Sequence, residues 1–248
     1  MLDGAAKIED LASEVARRGD GAIAMTDHGN VFGAFDFYKA MKAQGVKPII
    51  GIEAYIAPES RFEKKRVKWA DGGEDDVSAG GAYTHMTILA QNNAGLANLF
   101  QLSSLGYLEG FYYKPRMDRE ILSKYSAGLI ATTGCAGGEV QTRLRMGAYA
   151  EARAAAAIYR DIFGADNYYV EIMEHGIEIE KRVKDDLLKL AKDLGLPLLA
   201  TNDLHYTYQE DAQHHGALLA LQSNSTIHDP KRFKFEGQEY YLKDSAQM

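Results

Sequence analysis

The apolar stretch "LPLLATNDLHY" (196–206) ends in two residues of types that bind metal ions, Asp203 and His205. On an extended strand, residues i and i+2 point to the same face, so both side chains would reach one cation or two adjacent ones. Carboxylates and imidazoles are common ligands of divalent transition metals in proteins. The spacing therefore predicts part of a metal site, and the remaining ligands should lie at the ends of other strands.

Four more apolar stretches carry residues of the same types. They are "TDHGN" (26–30) with Asp27 and His28, "GIEAY" (51–55) with Glu53, "TTGC" (132–135) with Cys135, and "EIMEHG" (171–176) with Glu171, Glu174 and His175. A carboxylate inside an apolar strand, as at Glu53, needs a partner, and a metal ion would be one. Asp27 and His28 point in different directions, so we predict His28 as the ligand. Asp27 then either caps the next helix or supports a ligand by hydrogen bonding.

Short apolar runs alternate with helical patterns along the chain. The runs predict six β-strands, over 21–27, 47–57, 83–91, 127–135, 167–174 and 196–203. Three amphipathic segments end at Gly19, Gly45 and Gly195, which predicts helices that stop there. Repeated strand–helix units indicate a parallel α/β fold, either a barrel or a doubly wound sheet. In a parallel barrel the carboxyl ends of the strands meet at one mouth, where the predicted ligands would converge.

The composition argues against several classes of protein. Of the 248 residues, 46% are apolar and 25% are charged, as in an ordinary globular domain. No apolar run approaches the roughly 18–20 residues that span a membrane, so no membrane partner is expected. The single cysteine, Cys135, rules out an internal disulfide and favours a reducing compartment such as the cytoplasm. The net charge of −7 argues against nonspecific coating of nucleic acid, but it permits binding at one site where metal cations supply positive charge.

Residues 58–82 interrupt the alternation with a charged, glycine-rich stretch. We predict a long insertion loop here, which is either functional or a solvated excursion. Three histidines, His214, His215 and His228, fit no strand-end pattern and are predicted to be structural or surface residues.

Six motifs occur in a fixed order along the chain: "TDHGN", "KPIIGIEAYIAP", "YTHMTILAQN", "TTGC", "EIMEHG" and "ATNDLHY". Together they resemble the polymerase-and-histidinol-phosphatase (PHP) domain, in the version found in the alpha subunit of bacterial DNA polymerase III. The resemblance extends through "RFKFEGQEYYLKD" near the end of the chain, so it implies one PHP domain over 1–248. It also implies a distorted (β/α)7 TIM-like barrel with a cluster of up to three divalent metal ions, zinc or manganese.

The resemblance assigns metal ligands by position. The matching residues are Asp3, His28, Glu53, His85, Cys135, Asp203 and His205. His85 is assigned by resemblance alone, because it lies near the start of its predicted strand and the barrel argument misplaces it. Arg116 is expected to be either a phosphate contact or part of a surface salt bridge. Asp27, Glu171 and His175 are expected to support the ligands.

One part of the family pattern is missing. That pattern opens with a strand ending in His-x-His, followed by a short segment leading into "MLDG", and this chain begins at that Met. The sequence is therefore expected either to be truncated at its N-terminus or to be a variant with an incomplete site. In both cases the first strand of the barrel would be missing, which exposes two sheet edges.

Metal-dependent hydrolysis of a phosphodiester is the function that the resemblance implies. The substrate would be the 3′ end of DNA, as in a proofreading 3′–5′ exonuclease. The partners would be the remaining polymerase domains and replisome subunits. Two alternatives are a catalytically impaired domain that stabilises the polymerase or binds a partner, and a small-molecule phosphatase of the histidinol-phosphatase type.

Overall fold

The computed structural model describes residues 3–69 and 79–248, which form a curled sheet with helices packed around it. The strands are β1 (Ala22–Met25), β2 (Lys47–Ile56), β3 (Thr84–Ala90), β4 (Arg116–Met117), β5 (Leu129–Thr132), β6 (Tyr168–Ile172) and β7 (Leu198–Ala200). Their order is β1-β2-β3-β5-β6-β7, and the short β4 pairs with the end of β2. The sheet is a half-barrel, with β1 and β7 as its edges within the described residues. The predicted α/β, TIM-like class and all six predicted strands are confirmed.

Eight α-helices lie in the described part of the chain. They are α1 (Ile8–Arg18), α2 (Ala34–Ala43), α3 (Asn93–Leu108), α4 (Arg119–Lys124), α5 (Glu139–Arg145), α6 (Tyr149–Phe163), α7 (Glu178–Leu194) and α8 (Ala212–Gln222). Helices α1 and α7 end at Gly19 (φ 79°) and Gly195 (φ 65°), in the left-handed conformation that glycine adopts at little cost. The predicted ends at these two glycines are confirmed, whereas α2 already ends before Gly45.

Two apolar cores hold the strands in place. The larger lies between the sheet and helices α3 to α7, and Ile52, Ile88 and Leu129 are fully buried within it. The smaller joins α1, α2 and β1 around Val15 and Phe37. Burial of this apolar surface fixes the strands, and therefore fixes the positions of the loops that follow them.

Strand β3 runs antiparallel to both of its neighbours, β2 and β5. The prediction of a parallel arrangement is wrong for this strand. A parallel return requires a crossover connection, usually a helix. The described residues between β2 and β3 contain only one short 3-10 turn, Ala79–Gly81, so the chain returns directly alongside β2. As a result the start of β3 lies beside the end of β2, where Thr84 pairs with Ile56.

The predicted insertion loop falls in this same connection. Its described parts, 58–69 and 79–82, are anchored by Arg61, whose guanidinium bonds to Asp118 and Glu109. Residues 70–78 of that prediction lie outside the described residues. Across the described ranges, no helix combines the length and the apolar character needed to cross a membrane.

Arg116 is a structural residue. It is fully buried, and its guanidinium donates hydrogen bonds to four backbone carbonyls. These belong to Gly110 (3.1 Å), Ala82 (3.1 Å), Arg61 (3.2 Å) and Glu63 (2.9 Å). Because its N–H groups are occupied inside the fold, the Arg116 guanidinium is not exposed to bind a phosphate and forms no surface salt bridge. Both roles predicted for it are corrected: Arg116 fastens the two ends of the insertion loop to β4.

Candidate metal centre

The end of β2 and the start of β3 bring Glu53 and His85 together beside Cys135. Glu53 Oε1 lies 2.7 Å from His85 Nδ1. Cys135 Sγ lies 3.4 Å from the same oxygen and 3.5 Å from His85 Nδ1. His85 reaches this mouth because β3 is antiparallel, which places the start of β3 among the carboxyl ends of its neighbours.

His28 connects this group to a second one formed by Asp3 and His205. His28 Nδ1 lies 3.4 Å from Glu53 Oε2, and its Nε2 lies 3.3 Å from Asp3 Oδ2. His205 Nε2 lies 3.8 Å from the same Asp3 oxygen. In each set of three residues, Asp3–His28–His205 and His28–Glu53–His85, one ligand atom per residue lies within 4.8 Å of the others. Atoms this close can share one ion with bonds of about 2.0–2.2 Å.

The turn after β1 is fixed to β2 by backbone hydrogen bonds. Gly29 N donates to Glu53 O at 2.9 Å, and Glu53 N donates to Asp27 O at 3.0 Å. Gly29 has a φ of 69°, and a Cβ there would lie 2.8 Å from the Tyr55 ring, so glycine is required. Helix α2 begins after Gly33 with no side-chain cap, so Asp27 does not cap it. The carboxyl group of Asp27 instead lines the mouth.

Asp203 and His205 lie on a turn that follows β7. Because β7 ends at Ala200 and Asp203 has a φ of 43°, the predicted extended i, i+2 geometry is wrong. His205 Nδ1 donates to the backbone carbonyl of Asp203 at 2.6 Å, which leaves Nε2 facing Asp3. Asp203 and His205 nevertheless line one open cavity of about 1080 Å³, together with Asp3.

His175 and Asn202 hold this turn. His175 Nε2 donates to the Asn202 carbonyl at 2.9 Å, and Nδ1 donates to Glu180 Oε1 at 2.5 Å. The Asn202 amide group donates to the carbonyls of Glu239 and Tyr241, each at 2.7 Å. Burial lowers the pKa of His175, but Glu180 outweighs this effect and raises it. His175 thus fixes the backbone next to Asp203.

His215 makes a contact with the Asp3 segment that sequence reasoning missed. It is buried on α8, and its Nε2 donates to the Asp3 carbonyl at 2.7 Å. Burial and the charge of His205 lower the pKa of His215, so the ring is a neutral donor. The sequence carried one signal, the position of His215 four residues before Leu219, which marks the buried face of α8. His214 and His228 are exposed, as predicted.

Glu171 is buried on β6 and bonded to two threonine hydroxyls. Thr201 Oγ1 donates to Oε1 at 2.6 Å, and Thr132 Oγ1 donates to Oε2. Burial raises the pKa of Glu171 to about 7, although the hydroxyl groups act in the opposite direction. Glu171 lines the mouth but belongs to neither close set of ligand atoms.

In the two sets, the imidazoles of His28 and His205 and the carboxylates of Asp3 and Glu53 stabilise each other's charged forms. Burial lowers the pKa of His28, but Glu53 and Asp3 outweigh it and raise the pKa to about 9. Burial likewise opposes charge on His205, but Asp3 and Asp203 raise its pKa to about 9. Burial raises the pKa of Glu53, yet His28 and His85 bring it down to about 2.

These side chains fit a divalent metal ion. Among the described residues, His28 Nδ1 is buried without a hydrogen-bond partner, and a bound ion would supply that partner once the ring has lost its proton. Imidazole and carboxylate groups suit zinc and manganese, and the Cys135 sulfur suits zinc. Burial raises the pKa of the Cys135 thiol well above its ordinary value, so the sulfur keeps its proton until an ion replaces it.

Comparison with known proteins identifies the family. The sequence profile of the PHP domain matches residues 1–175. The chain belongs to the PHP domain family. Over its whole length it is 56% identical to DNA polymerase III subunit alpha of Saccharopolyspora erythraea, 53% to that of Mycobacterium tuberculosis and 48% to that of Thermus aquaticus. It covers 22%, 21% and 20% of these relatives, so this PHP domain spans about a fifth of their length.

Solved structures resemble the PHP domain more distantly. An amidohydrolase from Chromobacterium violaceum with bound sulfate has a TM-score of 0.49 and 13% identity. The match covers 82% of this chain and 84% of that one.

The metal-free PHP domain is expected to lose stability as the pH rises from 6.5 to 9. His28 and His205 have pKa values near 9 in the folded chain and an ordinary value of 6.5. Their stabilising contribution is therefore complete below pH 6.5 and is lost as the pH passes 9, by about 3 kcal/mol for each histidine. Urea unfolding in the presence of a chelator, at several pH values across this range, measures this change in the free energy of unfolding.

Two controls accompany this measurement. Glu171, with a folded pKa of about 7, loses its contribution between its ordinary value of 4.5 and pH 7, so data above pH 7 isolate the histidines. His205→Gln should flatten the profile, whereas His214→Gln, at an exposed position, should leave it unchanged. Added Zn²⁺ or Mn²⁺ should stabilise more at higher pH, because ligands bind metals after losing protons. If the free energy of unfolding measured with a chelator does not change between pH 6.5 and 9, the expectation is wrong.

Proposed function

We propose that this PHP domain is a metal-dependent phosphoesterase within a DNA polymerase III alpha subunit and that it removes nucleotides from the 3′ end of DNA. The observation that carries the proposal is the position of His28, which lies 3.3 Å from Asp3 on one side and 3.4 Å from Glu53 on the other. Membership of the PHP family and the similarity to DNA polymerase III alpha subunits support it.

The residues that would hold zinc or manganese are Asp3, His28, Glu53, His85, Cys135, Asp203 and His205. Ions bound there would lower the pKa of a water molecule and offset the charge that develops on the phosphate. The chain's own part is to orient the ligands: the Asp203 carbonyl fixes the proton of His205 on Nδ1, so Nε2 is presented to the ion. His175 and His215 hold the backbone beside Asp203 and Asp3.

The partners follow from the same assignment. A chain with a net charge of −7 would bind DNA locally, through the metal ions, and not through a broad basic surface. The remaining domains of the polymerase and other replisome subunits would position the DNA end at the mouth. Proofreading would then be the removal of a mispaired 3′ nucleotide.

A second candidate is a structural PHP domain without catalysis. One observation favours it: His28 and His205, with pKa values near 9, are charged at pH 7 and face the carboxylates of Glu53 and Asp3. Each of these two imidazoles therefore has a carboxylate partner without any metal ion. A cluster of this kind stabilises the fold by ion pairing alone.

One experiment separates the candidates. The purified protein is analysed for bound metal, then incubated with Mn²⁺ or Zn²⁺ and a single-stranded oligonucleotide labelled at its 5′ end. The proposed function predicts tightly bound metal and stepwise shortening from the 3′ end that stops when a chelator is added. A folded protein that has no bound metal and cleaves no DNA would support the structural candidate. Hydrolysis of a phosphate monoester without cleavage of DNA would indicate a small-molecule phosphatase.

A further inference from the structure

Three exposed aromatic side chains form a row on the surface: Phe32, Tyr107 and Phe111. Their exposed fractions are 79%, 39% and 49%. The ring centroids of Phe32 and Tyr107 are 6.1 Å apart, and those of Tyr107 and Phe111 are 6.3 Å apart. Large apolar side chains that lie together in water mark a binding surface. We call these three residues the aromatic row.

The backbone under the aromatic row is well fixed. Tyr107 lies in the last turn of α3, and Phe111 follows Gly110. A Cβ on Gly110 would lie 1.9 Å from the Arg116 carbonyl, so the chain passes directly against β4 at this point. Gly110 also accepts a hydrogen bond from the Arg116 guanidinium. The rings of Tyr107 and Phe111 are therefore presented by a rigid support.

Asn30 ties the aromatic row to the candidate metal centre. Its side-chain amide donates to the His28 carbonyl at 3.0 Å, and its side-chain oxygen accepts from Phe32 N at 3.0 Å. One side chain thus sets the first ring of the row relative to a candidate ligand. The buried Tyr55 ring stacks on His28 with centroids 5.7 Å apart and so helps to fix the orientation of that ligand.

Two lysines lie close to the residues of the aromatic row in the chain, Lys39 after Phe32 and Lys114 after Phe111. Lys114 Nζ lies 5.5 Å above the Tyr55 ring, and Lys39 Nζ lies 5.3 Å above the Phe35 ring. Glu109, between Tyr107 and Phe111 in the chain, is paired with Arg61 at 2.7 Å. Stacking rings with nearby cations are how proteins bind single-stranded nucleic acid, because bases stack on the rings and phosphates attract the cations.

We propose that the aromatic row binds the unpaired bases of a DNA strand whose 3′ end lies at the metal centre. This inference rests on the proposed function for the identity of the strand. The row binds by stacking, so it accepts any base sequence. Its position beside His28 would let it favour an end that has several unpaired nucleotides over a fully paired one.

Binding of a fluorescent oligothymidylate of about eight nucleotides tests the proposal. Anisotropy is measured with the purified protein in a chelator, at one low salt concentration, because salt alone changes such affinities. Phe32→Leu and Phe111→Leu keep an apolar side chain but remove the stacking face. Each is expected to weaken binding by about tenfold, and the double variant by more. Phe233→Leu, an equally conservative change at an exposed phenylalanine on the segment after α8, is the matched control and should bind as the unchanged protein does.

The outcomes distinguish this inference from the proposed function. The proposal that the aromatic row binds DNA is overturned if both row variants keep the affinity of the unchanged protein, or if the unchanged protein does not bind the oligonucleotide. A change in association state with unchanged oligonucleotide affinity also overturns it, because the row is then a protein interface. If binding depends on the row but no metal-dependent cleavage occurs, the inference about the aromatic row is supported and the proposed exonuclease function is rejected. With Mn²⁺ added, hydrolysis of bis(p-nitrophenyl) phosphate should be the same in row variants and unchanged protein, since this diester has no unpaired bases to stack and the row belongs to neither set of candidate ligands.

Discussion

Glu53→Gln is expected to lower the affinity of the PHP domain for Zn²⁺ or Mn²⁺ by more than about a hundredfold, since even a supporting residue costs 10–100-fold. The carboxylate of Glu53 approaches His85 at 2.7 Å and His28 and Cys135 at 3.4 Å. Glutamine keeps the volume but removes the charge and one of the two acceptor oxygens. Metal-dependent phosphodiester hydrolysis should fall to background. Isothermal titration with the metal and an assay on labelled DNA measure both effects.

Glu171→Gln is the matched control for this substitution. Glu171 is also a buried glutamate at the mouth, on β6, and the change of atoms is the same. Because burial raises the pKa of Glu171 to about 7, much of it is already neutral at that pH, and glutamine resembles this form. We expect metal affinity within a fewfold of that of the unchanged protein, because Glu171 bonds to Thr132 and Thr201 and to no candidate ligand. Wild-type affinity in Glu53→Gln together with lost affinity in Glu171→Gln would place the metal ion elsewhere in the mouth.

Arg116→Met is expected to lower the free energy of unfolding by about 3–5 kcal/mol, the usual cost of removing one partner from a buried charged network. The substitution leaves four carbonyls without their donor, at Gly110, Ala82, Arg61 and Glu63. Urea unfolding in the presence of a chelator measures the loss. The folded fraction should bind metal normally, because Arg116 contacts no candidate ligand.

Arg160→Met is the control for the arginine substitution. Arg160 lies on α6 and pairs at the surface with the adjacent Asp161. Exposed pairs of this kind contribute about 0–1 kcal/mol, so little change is expected. If Arg116→Met instead folded with full stability and only raised the KM for a phosphodiester, the guanidinium would be a phosphate contact after all.

The local features of the fold were predictable from the sequence. Apolar runs of strand length predicted all six longer strands, and amphipathic stretches that stop at Gly19 and Gly195 predicted two helix ends. These features depend on residues close together in the chain. The positions of Asp203 and Cys135 after apolar runs likewise pointed to one mouth. Both line the cavity that the structure contains.

The features that the sequence left undetermined depend on distant contacts. The direction of β3 is set by the connection from β2 and by pairing with both neighbours, and only this direction brings His85 to Glu53. The role of Arg116 is set by carbonyls up to 55 residues away in the sequence. No spacing rule reports either kind of contact. The family motif grouped His85 with Glu53, which lies 2.7 Å from it, whereas the barrel argument placed His85 away from the mouth.

The sequence by itself determined the α/β class, the strand positions and the kinds of side chain available to bind a metal ion. The tertiary structure decided which of them meet: His28 between Asp3 and Glu53, Asp203 on a left-handed turn, and His215 behind Asp3. The physical reason is range. Periodicity and capping act over a few residues, whereas ion pairs and hydrogen bonds between strand ends form only after burial of the cores has fixed the strands.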